Sequence, residues 1–227
     1  MSTSPNPIVV LHGWGHDRTF WSAFAEKFSD RQVFILDLPG FGNKKNVDAS
    51  WGIPEYSAWV RSRIEEKGLE NVSLIGHSFG GRIAAYVASQ RPPWLARLIL
   101  YGAPVLYRPR SFIRFRIRLA KLLKPFVSAG LKRLANAELA DADDEGLGTV
   151  YRRVVAFDQT ELLPLINVPT LLLWGEHDTA VPVRIAREAQ TLIGDSKVII
   201  APGVGHNVHL ENPTLFYGLI SRFIDAY

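Results

Sequence analysis

Short, near-continuous apolar runs alternate along the chain with longer stretches in which apolar residues recur every three or four positions. The runs are Ile8–His12, Gln32–Asp37, Val72–Gly76, Arg97–Gly102, Thr170–Trp174 and Ser196–Ala201. Runs that short, apolar at successive positions rather than at alternate ones, are the pattern of strands covered by helices on both faces of a sheet. The stretches at about 17–29, 54–68, 79–90, 182–193 and 212–225 predict helices. Strand and helix in strict alternation predict βαβ units, and so an α/β fold with about six parallel strands.

One segment breaks the alternation. Residues 106–160 carry no convincing strand and separate the fourth strand from the fifth. The segment opens with Tyr107-Arg-Pro-Arg110 and returns to the sheet through Leu163-Pro-Leu-Ile-Asn-Val-Pro169. The expectation is a core formed by 1–105 and 161–227, with 106–160 inserted as a short helical lid over one end of the sheet.

Candidate chemistry centres on Gly76-His77-Ser78-Phe79-Gly80-Gly81. This G-x-S-x-G follows a predicted strand and opens a predicted helix, the context a strained strand-to-helix turn requires to lift a serine hydroxyl off a sheet edge. Side chains two positions to either side would collide at such a turn, which accounts for Gly76 and Gly80. A serine hydroxyl needs a base to take its proton. Of the six histidines, His206 lies in the glycine-rich loop Ala201-Pro-Gly-Val-Gly-His206 after the last strand, and a loop at that end of a parallel sheet points toward the serine loop. His77 cannot easily turn back onto Ser78. His209 is the competing candidate, with a cap for the helix beginning near Pro213 as its alternative role.

The base in turn needs an acid to fix its tautomer. Asp178 ends Leu171-Leu-Leu-Trp-Gly-Glu-His-Asp178 directly after the fifth strand, with Glu176 as the nearest alternative. Asp37 sits in the turn Asp-Leu-Pro-Gly-Phe-Gly42, where local backbone bonding is expected. Acyl transfer also needs donors for a developing oxyanion. The glycines of His12-Gly13-Trp14-Gly15 allow close backbone approach, so the N–H groups of Trp14 and Phe79 are the expected pair. His12, His16 and Asp17 read as loop residues beside that turn, without ligand spacing for a metal. No metal or organic cofactor is implied.

With these residues in place, the sequence resembles the α/β-hydrolase superfamily across almost its whole length. HGWG, DLPGFG, GHSFGG, WGEHD and GHNVHLENP occur in the family's order and spacing. The resemblance implies the α/β-hydrolase fold, a Ser–His–Asp mechanism and a site between lid and sheet. The first strand of this chain is the one carrying HGWG, so the family's first two strands are expected to be absent. Trp14 and the basic segment described next resemble the pimeloyl-carrier-protein methyl ester esterases. The implied activity is hydrolysis of a small-molecule carboxylic ester. Lactone, thioester or carbon–carbon bond cleavage on the same residues, methyl ester cleavage on an acidic carrier, and non-catalytic binding remain the alternatives. A serine at position 78 argues against epoxide and haloalkane chemistry.

Composition narrows the setting. The 227 residues include no cysteine, which excludes disulfides, thiolate metal sites and a cysteine nucleophile. The polar start Met1-Ser-Thr-Ser-Pro-Asn-Pro lacks the features of a signal peptide, and no apolar run reaches the roughly 20 residues of a membrane span, so a cytoplasmic protein is expected. The net charge is only +4, but its distribution is uneven. Residues 108–133 hold Arg108, Arg110, Arg114, Arg116, Arg118, Lys121, Lys124, Lys132 and Arg133 and no acid. On a helical wheel Phe112, Phe115, Leu119, Leu122, Leu123 and Phe126 share one face, opposite Arg114, Arg118, Lys121 and Lys124. Solvated charges on a lid helix, a dock for an acidic partner and a membrane-surface helix are the three readings. Nucleic acid is not expected as a partner, since no recognition motif accompanies the patch.

Overall fold

A computed structural model describes residues 5–44, 46–107 and 147–226. The strands are β1 (Ile8–Leu11), β2 (Val33–Leu36), β3 (Val72–His77), β4 (Leu95–Tyr101), β5 (Thr170–Gly175) and β6 (Ser196–Ala201). They form one sheet in the order β2-β1-β3-β4-β5-β6, with every neighbouring pair parallel. The described helices are α1 (Ser22–Lys27), α2 (Ile53–Glu66), α3 (Phe79–Ser89), α4 (Gly148–Ala156), α5 (Arg184–Leu192), α6 (Val208–Glu211) and α7 (Pro213–Asp225). Among the described residues, no helix is long and apolar enough to cross a membrane.

Alternate residues of each strand feed two separate cores, as the period of two demands. Val9, Leu11, Leu74, Leu98, Leu100, Leu172 and Trp174 pack toward α2, α3 and α5. Ile8, Val10, Ile75, Ile99, Tyr101, Leu171 and Leu173 pack on the other face against Trp21, Phe24 and Phe28 and against Phe216, Ile220 and Ile224 of α7. Both faces of the central strands β1, β3, β4 and β5 are buried, which is why they read as unbroken apolar runs; the edge strands β2 and β6 are half-buried.

One predicted helix divides, and another is found intact with a separate short turn before it. The stretch at 17–29 begins as a 3-10 turn, Arg18–Trp21, capped by the Asp17 side chain on the Thr19 N–H, and only then becomes α1. The stretch at 212–225 is preceded by the single turn α6, and the Asn212 side chain caps α7 by accepting from Leu215 N–H at 3.1 Å. His209 therefore does not cap that helix. Of the predicted insertion, only its start and its end are described. Leu147, Val150 and Val154 on and beside α4 are buried against the α3 side of the sheet. Residues 108–146, with the whole basic stretch and its apolar face, lie outside the described residues.

The strand order fixes where a site forms. From β1 the chain crosses to β2 on one side, whereas from β3 it moves to β4 on the other. The loops leaving β1 and β3 thus diverge at their carboxyl ends and open a crevice between them, the usual ligand position in an open parallel sheet. The loops concerned are Gly13–Gly15 and Ser78–Gly80.

Candidate active site

Ser78 joins β3 to α3 at φ +52°, ψ −112°, a left-handed φ that costs a residue with a Cβ about 1–2 kcal/mol. The turn tolerates it because Gly76, Gly80 and Gly81 around it carry no side chains. A Cβ on Gly76 would stand 2.5 Å from the Gly80 carbonyl oxygen, and one on Gly80 would stand 2.3 Å from that of Leu11. A Cβ on Gly81 would meet the Ala103 Cβ at 2.4 Å. Backbone bonds then lock the turn. Ser78 N–H donates to Tyr101 O at 2.8 Å, and Gly80 N–H donates to His12 O at 3.1 Å. Beyond it, Ile83, Ala84, Val87 and Ala88 of α3 are fully buried, and burial of one large aliphatic side chain, at about 1.5–3 kcal/mol, offsets the strain at Ser78.

His206 and Asp178 are brought together. His206 Nδ1 and Asp178 Oδ2 lie 2.7 Å apart, with the carboxylate side chain 1% exposed and the imidazole 21% exposed. An ionised carboxylate only accepts, so the imidazole donates through Nδ1–H, which leaves Nε2 as the basic nitrogen. The second carboxylate oxygen accepts from Val181 N–H at 2.7 Å, which fixes the plane of the group. Glu176, the alternative acid, is half exposed and accepts from Gly203 N–H at 2.9 Å. It makes no contact with His206. Gly102 presses against the pair from β4, at φ +54°, where a Cβ would stand 2.9 Å from His206 Cε1. Sequence reasoning missed Gly102; a glycine directly after a strand at the carboxyl edge of the sheet was the available signal.

His12 organises the loop after β1. It is buried and accepts from Leu38 N–H at its Nε2 (3.0 Å), so its Nδ1–H donates to Gly13 O at 2.8 Å. Burial lowers its pKa to about 4, keeping the ring neutral and this tautomer in place. His16 N–H reaches the same Gly13 carbonyl at 3.3 Å. The peptide is planar and trans, so the N–H of Trp14 points the opposite way from that carbonyl. Asp37 does not bond its own turn, as expected from sequence; it accepts from the backbone N–H and Nε of Arg18 at 2.8 and 2.7 Å.

Ser78, His206, Trp14, Phe79 and His16 line one cavity of about 160 Å³, closed on one side by Tyr151, Val154 and Val155 of α4. Trp14 makes edge contacts with Phe41, Phe79 and Tyr151 at centroid distances of 5.0–5.2 Å, an aromatic wall for an apolar group. Arg82 also borders the cavity. Its guanidinium donates to the Pro104 and Phe157 carbonyls and so ties the returning segment to α3, and burial pushes its pKa down to about 10.

Behind the cavity lies a layer of imidazoles that sequence reasoning did not assemble. The His77 ring is fully buried, stacks on Tyr101 at 4.4 Å and sits 4.9 Å from the His206 ring. His209 is buried flat against Trp21 at 4.6 Å and 3.1 Å from the Tyr101 hydroxyl, so it is a core residue remote from catalysis by geometry. Burial holds both imidazoles neutral, His77 well below the ordinary range and His209 at about 3. Among the described residues, no group of three or more His, Asp or Glu side chains is arranged to hold a metal ion.

Comparison with known proteins covers almost the whole chain. The sequence profile of the Alpha/beta hydrolase family matches residues 8–219. A pimeloyl-[acyl-carrier protein] methyl ester esterase of Legionella pneumophila (strain Paris) is 24% identical over 234 residues, covering 96% of this chain and 95% of its own. A 2-succinyl-6-hydroxy-2,4-cyclohexadiene-1-carboxylate synthase of Enterobacter sp. (strain 638) is 26% identical over 241 residues, covering 96% of this chain and 91% of its own. The crystal structure of a membrane phospholipase A described as a bacterial virulence factor superposes with a TM-score of 0.79 at 27% identity, over 99% of this chain and 80% of that one.

Proposed function

Because the chain belongs to the alpha/beta hydrolase family, we propose that it is a serine hydrolase that cleaves carboxylic esters through an acyl-enzyme. Ser78 Oγ attacks the ester carbonyl while His206 Nε2 takes its proton. Asp178 holds the imidazole in the Nδ1–H tautomer and stabilises the imidazolium. The N–H groups of Trp14 and Phe79 receive the oxyanion, a contribution of about 10²–10³ in rate per donor. His206 then protonates the leaving alcohol, takes a proton from water as the water attacks the acyl carbon, and returns that proton to Ser78. The observation that carries this reading is a serine at φ +52° sharing one cavity with an imidazole tethered at 2.7 Å to a buried carboxylate. A structural loop gains nothing from that strain. The aromatic wall around Trp14 supports an acyl group held by apolar contact. A cysteine-free chain suits a reducing compartment, and we assign the reaction to the cytoplasm.

A fluorophosphonate probe tests the nucleophile. Wild type should be labelled on the peptide containing Ser78 and Ser78→Ala should not be. Labelling at another residue, or no labelling of folded wild type, overturns the reading. A chain-length series of p-nitrophenyl esters, run beside a lactone panel, then separates ester from lactone chemistry.

A second reading on the same residues is methyl ester cleavage on an acidic carrier protein. It rests on the nine basic and no acidic residues in 108–133 and on the likeness to the Legionella esterase. The salt dependence described below discriminates the two.

A further inference from the structure

The mechanism above gives no role to His16, one of the titratable side chains that line the cavity. His16 lines the cavity with Ser78 and His206 and is half-buried. Its ring is held on both faces: Phe20 stacks on it at 3.7 Å and 24°, and His77 lies parallel to it at 5.9 Å and 10°. Two stacked neighbours leave the ring little freedom to rotate. Its Nδ1 is covered and has no hydrogen-bond partner, so Nε2 is the nitrogen with access to the cavity.

The tautomer follows from those two environments. A buried N–H without a partner is rarer and costlier than an unpaired acceptor lone pair. The proton therefore belongs on Nε2, where a cavity occupant can accept it. Burial holds the ring below its ordinary pKa, and the nearby His206 opposes a charge on it further. His16 is then a neutral, preoriented donor. Its charge interaction with His206, the residue that returns a proton to the leaving group, sets it beside the base, so we assign it to the alcohol side of the ester.

We propose that His16 is a specificity-determining residue that donates from Nε2 to an oxygen in the alcohol portion of the substrate, selecting esters of oxygenated alcohols over esters of plain alkyl alcohols. This rests on the ester-hydrolase reading above. A neutral hydrogen bond contributes about 0.5–1.5 kcal/mol, so the selectivity it confers is about 2- to 12-fold.

The test is a ratio. 2-Methoxyethyl butyrate and n-butyl butyrate have the same shape and differ by one ether oxygen. The ratio of their kcat/KM values should fall by about 2- to 12-fold in His16→Phe relative to wild type, and His16→Gln, which keeps an N–H donor, should recover at least half of the loss. A 2-(methylthio)ethyl ester gives a readout in wild type alone: its sulfur accepts weakly, so its kcat/KM should fall toward that of the butyl ester. An unchanged ratio in His16→Phe, or a thioether ester turned over as well as the ether, overturns the assignment while ester hydrolysis itself stands. Failure of wild type to cleave any of the three esters overturns the underlying reading instead.

Discussion

Gly102→Ala perturbs the His206–Asp178 pair without replacing either member. The new Cβ would stand 2.9 Å from His206 Cε1, 3.1 Å from its Nδ1 and 3.4 Å from Asp178 Oδ2. Carbon contacts relax to about 3.5–4.0 Å, so the imidazole must retreat by about 0.5–1 Å. It cannot do so and keep its 2.7 Å bond to a carboxylate whose other oxygen is fixed by Val181 N–H. A displacement of about 1 Å at a reacting group costs about 10²-fold, so kcat/KM on p-nitrophenyl butyrate should fall by about 10- to 100-fold. The φ of +54° adds a separate cost of about 1–2 kcal/mol to folding, or about 2–8 °C in Tm for a chain of this size. Gly68→Ala separates the two effects. Gly68 has φ +60° and nothing within 4 Å of its would-be Cβ. It should lose comparable stability and keep wild-type activity. If Gly102→Ala melted like Gly68→Ala and hydrolysed ester within twofold of wild type, the pair would not be the catalytic base and its orienting acid.

Three further outcomes are expected. Asp178→Asn should lower kcat by about 10³- to 10⁴-fold through the wrong tautomer, and His206→Ala by about 10³-fold or more, whereas Glu176→Gln should stay within about twofold; a damaging Glu176→Gln would transfer the acid's role to it. Stability should rise with pH between about pH 4 and 6.5, because His12, His77 and His209 have folded pKa values below the ordinary 6.5 and the unfolded chain binds more protons in that window; each contributes up to about 1.4 kcal/mol per pH unit, so thermal melts from pH 7 to 4.5 should show a falling Tm, and a flat profile would refute their neutral burial. Changing Arg114, Arg118, Lys121 and Lys124 together to Gln should leave kcat/KM for neutral esters within about threefold and independent of salt; for a carrier-bound anionic ester, a steep fall with ionic strength in wild type and its loss in the variant would favour the acidic-carrier reading, since the Debye length shrinks from about 30 Å at 0.01 M to about 8 Å at 0.15 M.

The two-faced core was legible because the four central strands are buried on both sides and the edge strands β2 and β6 are half-buried, so hydrophobicity marked the six runs within one or two residues. The sheet edge carrying the site was legible too. Ser78, Asp178 and His206 each follow a strand, and loops leaving parallel strands on the same side share one end of the sheet. What sequence did not yield depends on which faces turn toward each other in space. His209 looked like a helix cap from its distance to Pro213, yet α6 turns its ring inward onto Trp21 and Asn212 does the capping. Asp37 looked like a turn former, but Arg18 reaches it across the loop after β1. Gly102 carries no functional group, and only the packing of His206 against β4 gives it a role.

The imidazole layer matters to the chemistry through the charge it does not carry. In the proposed reaction the base becomes an imidazolium during acyl transfer. The His77 ring centre lies 4.9 Å from that of His206, and at an effective dielectric constant of about 20 two unit charges at that separation repel by about 3 kcal/mol. A protonated His77 would therefore slow the reaction by about 10²-fold. Full burial prevents this, since desolvation disfavours the charged ring before His206 ever acquires its proton. The same burial forces His77 to fill space as an aromatic, which it does between Tyr101 and His16. A residue next to the nucleophile thus packs beside His206 and remains neutral because it is buried.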